Sequence, residues 1–339
     1  MVILMHLETK TSTSYLILYI LTTSFYTSRI LSRYLYELTG KYGWLIIFLI
    51  SLFTFITRKK IYRFIQQPKK PTIFLYVYLL TSSIIALIFL MTLINASWLV
   101  ETRYTYILLP FLIACWYLLK QKREVFLRFS SLCMIPIVIQ YLIFLFSNNK
   151  SLDIYALIPT SLPSTNLFMV IIICLQLYMH FYLGAFYLTE CKEPIKQKQF
   201  NISLVIILLT QCIDSIIITS QFGIAVSIFP FIYYESWCLV NFGQYLGYLD
   251  IFAFFYWIIS TFIYVSLCLS IIKKHHQKVI FKTIMPLLFI VLIFILTNAS
   301  LYPTIKPLLL ITSSCSIILC LMGGKTNENL WIKRDLCKK

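Results

Sequence analysis

Residues 221–270 read QFGIAVSIFPFIYYESWCLVNFGQYLGYLDIFAFFYWIISTFIYVSLCLS, and the fold of the whole chain turns on them. From Gly223 to Leu249 the stretch carries no Lys or Arg, yet it is too rich in Phe, Tyr, Trp and Ile for a solvated loop. Gly223, Pro230 and Gly243 break any single helix through it. From Asp250 an apolar run of about 22 residues follows, long enough to cross a bilayer. The expectation is an apolar flap folded against one membrane face, followed by a membrane helix.

Working outward, the same balance holds along the chain. Of 339 residues, 60% are hydrophobic and 12% charged, so there is too little polar surface for a water-soluble protein of this size. Ten spans are expected, at 13–36, 42–57, 72–98, 104–119, 127–147, 166–189, 201–222, 250–271, 279–298 and 303–323. The second and fourth are short for a core of ~30 Å, with Tyr42, Trp44, Tyr104 and Trp116 as interface anchors. The first apolar run leads into Arg29 and Arg33 and no small-residue cleavage site follows, so helix one is expected to act as an uncleaved insertion signal.

The net charge of +17 sits in short clusters between apolar runs, the pattern of orientation signals and not of a nucleic-acid stripe. With the N-terminus in the cytoplasm, 23 of the 29 basic residues fall in inner segments and 6 in outer ones. That split places both ends in the cytoplasm, including a basic tail at 324–339. The ten cysteines show no CxxC spacing and lie mostly inside apolar runs as small hydrophobes, so neither a metal site nor a disulfide framework is expected. No HExxH, GxSxG or P-loop appears, and no enzyme activity or cofactor is implied.

The FPFIYYESW segment, the FGQYLGYLD run and the Trp of FFYWIISTFIYVSL resemble the B subunit of the nutrient germinant receptors of bacterial endospores. That subunit is a permease-like member of the amino acid–polyamine–organocation superfamily. Phe229-Pro230, Leu249-Asp250 and Trp257 stand in the family's order, and weaker similarity covers most of the chain. The resemblance implies an all-α polytopic membrane protein with a leucine-transporter-like fold. Two five-helix repeats, 13–147 and 166–323, are then inverted relative to each other, as an odd number of crossings requires, and 223–249 is an extracytoplasmic lid. It also implies partners, an A-type and a lipoprotein C-type subunit in the spore inner membrane. The function implied is sensing of an amino acid, sugar or nucleoside to start germination. Two other readings stand beside it: a proton- or sodium-coupled amino-acid permease, and a structural subunit kept for assembly.

Such folds bind ligand near the midplane, where the first helix of each repeat is broken. Helix one lacks the family's Gly and Pro: Ser28-Arg29 precede Ile30-Leu31, and Ser32-Arg33 follow. Thr22, Thr23, Ser24, Tyr26 and Ser28 offer hydroxyls to a ligand, or else satisfy carbonyls within their own helix. Arg29 either pairs with a ligand carboxylate or, with Arg33, reaches the outer headgroups near Glu37. Helix six adds Gln176, Tyr178 and His180, the last either titrating near neutrality or hydrogen-bonded to a neighbouring helix. Asp214 is protonated, paired with Arg29 or Arg103, or an ion ligand. In helix eight, Trp257, Ser260 and Tyr264 share one face, directed to the bundle or else part of an interfacial aromatic belt. Phe229, Pro230 and Trp237 are the candidate lid residues, with Phe242 and Tyr245 beside them.

Overall fold

The computed structural model describes residues 11–66, 73–97, 104–148, 152–158, 167–186, 188, 195–229, 231–239, 250–275, 308 and 311–312. Almost all of these are helical, and no strand occurs among them. The helices are α1 (Thr11–Ser24), α2 (Ser32–Thr39), α3 (Gly43–Ile56), α4 (Arg58–Gln66), α5 (Ile73–Ser97) and α6 (Tyr104–Lys120). They continue with α7 (Arg123–Asn148), α8 (Leu167–Phe186), α9 (Gln197–Phe222), α10 (Ile232–Cys238) and α11 (Asp250–His275).

Among the described residues, five stretches are long and apolar enough to cross a membrane: Ser12–Ile56, Phe74–Ser97, Arg123–Phe146, Gln197–Phe222 and Ile251–Lys273. Tyr106–Lys120 and Leu167–Phe181 are apolar but shorter. The distribution of side chains is that of a protein dissolved in lipid. Phe48, Leu49, Phe53, Leu132, Ile139, Ile171 and Leu209 lie exposed on outer helix faces, while Arg29, Gln176, His180, Gln211 and Asp214 are buried. The chain is therefore a helical integral membrane protein. The expected spans 279–298 and nearly all of 303–323, with the tail 324–339, lie outside the described residues.

The first expected pair of spans is one stretch divided at Gly40. There α2 ends on a backbone of φ 54°, ψ −131°, which a side chain would strain, and a turn over Gly40–Tyr42 leads into α3. Gly43 then admits the ring of Tyr36, since a Cβ at that position would lie 2.4 Å from Tyr36 Cδ1. A second positive-φ glycine, Gly223, ends α9. It sits against Lys41 and Ala156, so the two glycine turns and the short 3-10 turn Ile154–Leu157 gather at one end of the bundle. Trp44 Nε1 donates to the Leu157 carbonyl there at 3.1 Å.

The opposite end is basic. Arg123 lies over the Tyr15 ring at the start of α1, Tyr62 of α4 donates to the Ile195 carbonyl, and Lys273 donates to the Leu119 carbonyl. These contacts bring the Arg58–Arg63, Lys120–Arg123, Lys196–Lys198 and Lys273 clusters to a common face. Among the described residues these basic clusters share one end of the bundle. The short helix α4 was not among the expected elements; its Ile61 is fully buried while Lys59 and Lys60 are exposed, as on an amphipathic surface helix.

Candidate functional site

Helix one is distorted in the middle. Between α1 and α2, Phe25–Leu31 winds as a π-helix, and the Ser32 N–H bonds to the Thr27 carbonyl five residues back. No Gly or Pro is involved. Hydroxyls line this stretch: Thr27 Oγ1 donates to the Thr23 carbonyl at 2.8 Å and Ser32 Oγ donates to the Ser28 carbonyl. The π-turn carries Arg29, buried at 7% exposure.

Arg29 does not reach the headgroups. Its Nη1 lies 3.0 Å from Asp214 Oδ2 on α9, and its guanidinium sits over the Tyr233 ring at 4.4 Å and the Tyr256 ring at 5.3 Å. Of the partners open to Asp214, the structure pairs it with Arg29. Asp214 Oδ1 has no hydrogen-bond partner among the described residues, and neither amide atom of Gln211, one turn earlier, has one. Arg33 is also buried and donates to the Ser227 carbonyl at 3.5 Å.

A second group of side chains lies against the start of the π-turn. The Tyr26 ring stacks on His180 of α8 at 4.4 Å and on Tyr264 of α11 at 5.0 Å. His180 Nδ1 shares a 2.6 Å hydrogen bond with the Tyr78 hydroxyl of α5. Phe25 meets Trp257 edge-on at 5.7 Å, and Trp257 stacks on Phe89 of α5 at 5.2 Å. Trp257, Ser260 and Tyr264 are all buried, at 2%, 3% and 3% exposure, on the bundle-facing side of α11.

Buried polar atoms without a partner among the described residues gather on these same stretches. They are Thr23 Oγ1, Tyr26 Oη, Ser28 Oγ, His180 Nε2, Ser260 Oγ and Thr261 Oγ1, besides those of Gln211 and Asp214. Each is costly in an apolar interior unless a ligand or water satisfies it.

Other expected residues lie elsewhere or are already satisfied. Thr22 donates to the Leu18 carbonyl and Ser24 to the Leu21 carbonyl within helix one. Gln176 Nε2 donates to Thr312 Oγ1 at 2.7 Å. Tyr178 turns to α3, where its hydroxyl donates to Thr57 Oγ1 and its ring packs on Phe53. The structure therefore gathers Thr23, Tyr26, Arg29, His180, Trp257, Ser260 and Tyr264, and sets Gln176 and Tyr178 on other contacts.

The segment expected as a lid is folded over its described length. It holds a 3-10 turn at Gly223–Ser227 and the helix α10, with Phe231, Ile232, Tyr233, Tyr234 and Trp237 buried. The Tyr233 hydroxyl lies 3.0 Å from Ser32 Oγ, Phe231 packs on Phe89, and Trp237 stacks on Phe144 of α7 at 5.1 Å. Phe229 is half-buried against Phe222, whereas Pro230, Phe242 and Tyr245 lie outside the described residues. Tyr78, Gln211, Tyr233 and Tyr256 are members of the site that sequence reasoning did not single out. Gln211 had a signal, an amide at mid-span one turn from Asp214; the tyrosines had none among 24 of their kind.

No protein-family model and no curated protein sequence matches this chain.

Proposed function

We propose that this protein is the ligand-recognising membrane subunit of a nutrient-sensing assembly of the spore germinant receptor type. On this reading it has ten spans in two inverted five-helix repeats of a leucine-transporter-like fold, with both termini in the cytoplasm. It works in the spore inner membrane with an A-type and a C-type partner. The resemblance of residues 229–257 motivates the reading.

The observation that carries it is the π-turn of helix one, buried in the bundle and surrounded by polar atoms that lack partners among the described residues. A helix broken at that place is where such folds hold a small ligand. The two helices that begin the repeats, helix one and α8, meet there through Tyr26 and His180. Arg29 supplies a cation for a ligand carboxylate, in exchange with Asp214. The lid residue Tyr233 closes over the same guanidinium, which links ligand entry to movement of the lid.

The test is a panel of amino acids, sugars and nucleosides applied to spores lacking the protein and to spores carrying Arg29→Gln. Loss of a charge pair to a ligand is worth roughly 2–5 kcal/mol, so the effective nutrient concentration should rise by about 30-fold or more. A wild-type response in either strain sinks the reading. Accumulation of ligand by the purified protein in liposomes would instead identify a coupled permease.

A further inference from the structure

At the basic end of the bundle, beside the first turn of α9, lies a groove of about 550 Å³. Its walls are Phe55 and Arg58 on one side and Lys198, Asn201, Ile202 and Ile206 on the other, and among the described residues no acidic side chain lines it. It sits at the level where lipid-exposed Phe55 and Ile56 give way to the Arg58–Lys60 cluster. That is the boundary between acyl chains and headgroups.

Its chemistry runs from apolar to cationic. Phe55, Ile202 and Ile206 are exposed at 38%, 52% and 39%, surface that suits an acyl chain. Arg58 is held in place, with Nη1 donating to the Phe55 carbonyl at 2.9 Å and the guanidinium 4.1 Å from the Phe55 ring centre. That leaves the rest of the fork for an anion. Lys198 faces it in the first turn of α9, where backbone N–H groups and the helix dipole also favour negative charge. Asn201 Oδ1 is a buried acceptor with no partner among the described residues. A phosphate diester cannot donate to it, but a hydroxyl on the headgroup can.

We propose that this groove binds one anionic phospholipid with a hydroxylated headgroup, of the phosphatidylglycerol kind. The phosphate lies between Arg58 and Lys198, a headgroup hydroxyl donates to Asn201, and one acyl chain follows Ile202 and Ile206. The lipid would fasten the α3–α4 turn to α9, which also flank helix one.

The test uses the full-length protein, stripped of lipid in detergent and titrated with phosphatidylglycerol or phosphatidylcholine, with bound lipids counted by native mass spectrometry. One phosphatidylglycerol should bind in preference to phosphatidylcholine. Arg58→Gln with Lys198→Gln should weaken it about thirty-fold, at roughly a factor of five for each basic contact near a membrane surface. Lys59→Gln with Lys60→Gln removes the same charge outside the groove and should leave binding unchanged. Asn201→Leu should erase the preference for phosphatidylglycerol over phosphatidylethanol, a diester of the same charge with no headgroup hydroxyl. Equal binding of phosphatidylcholine, equal loss in both double variants, unchanged headgroup preference in Asn201→Leu, or displacement by excess inorganic phosphate would each overturn the proposal.

Discussion

Arg29 and Asp214 meet at 3.0 Å in the interior of the bundle, one on the π-turn of helix one and the other on α9. Tyr233 of α10 lies over the same guanidinium. Three elements far apart in sequence thus converge on one ion pair. Desolvation offsets much of the Coulombic gain of such a pair, but stranding one charge is expensive.

Asp214→Asn should therefore destabilise the protein by about 3–5 kcal/mol, and Arg29→Gln by a similar amount. Replacing both, Arg29→Met with Asp214→Leu, should recover most of that loss, because neither charge is then stranded. Thermal unfolding of the three variants in detergent measures this. A double variant as unstable as the worse single one would show that the pair is not the source of the cost.

The Tyr78–His180 hydrogen bond joins α5 to α8 beneath the Tyr26 ring. His180→Phe keeps a ring to stack on Tyr26 but leaves the Tyr78 hydroxyl buried and alone, at a cost of about 1–3 kcal/mol. Tyr78→Phe added to it should restore stability nearly to the starting value, since both polar groups are then gone. A double-mutant cycle read by thermal unfolding gives the coupling, and purely additive losses would rule the bond out as a stabilising element.

Much of this architecture was legible before any coordinates. Apolar run lengths marked the long helices, with the basic clusters falling between them. The 257, 260 and 264 spacing placed Trp257, Ser260 and Tyr264 on one face. What escaped has physical reasons. Helix distortion was sought in Gly and Pro, whereas the π-turn falls in TTSFYTSRILS, which has neither. Asp214 had several partners open to it, and only the packing of α9 against helix one decides for Arg29. Tyr78 looks like any other aromatic in an apolar helix until His180 lies beside it.

Gly43 is where α3 makes room for the Tyr36 ring, whose hydroxyl donates to the Ser215 carbonyl at 3.1 Å and accepts from Thr219 at 3.4 Å. In Gly43→Ala the new methyl would fall 2.4 Å from Tyr36 Cδ1, so the ring must move and α2 must part from α9. The expected loss is about 1–3 kcal/mol, the usual cost of overpacking. Adding Tyr36→Leu should relieve the clash, so that Gly43→Ala costs less in that background. An undiminished cost there would place the strain elsewhere.

Glu235 lies in the first turn of α10, outside the spanning helices. Partial burial pushes its carboxyl above the ordinary value of 4.5. The folded state therefore binds this proton more tightly than the unfolded one. The contribution of the carboxyl to stability is most favourable at low pH and is lost as pH rises from 4.5 through the raised value. Glu235→Gln cannot titrate, so the difference in melting temperature between variant and wild type should grow in the variant's favour across that window and then level off. The comparison needs only thermal melts of the two purified proteins at a series of pH values. A constant difference across the window would show that Glu235 has the same proton affinity folded and unfolded, and hence that α10 does not desolvate it.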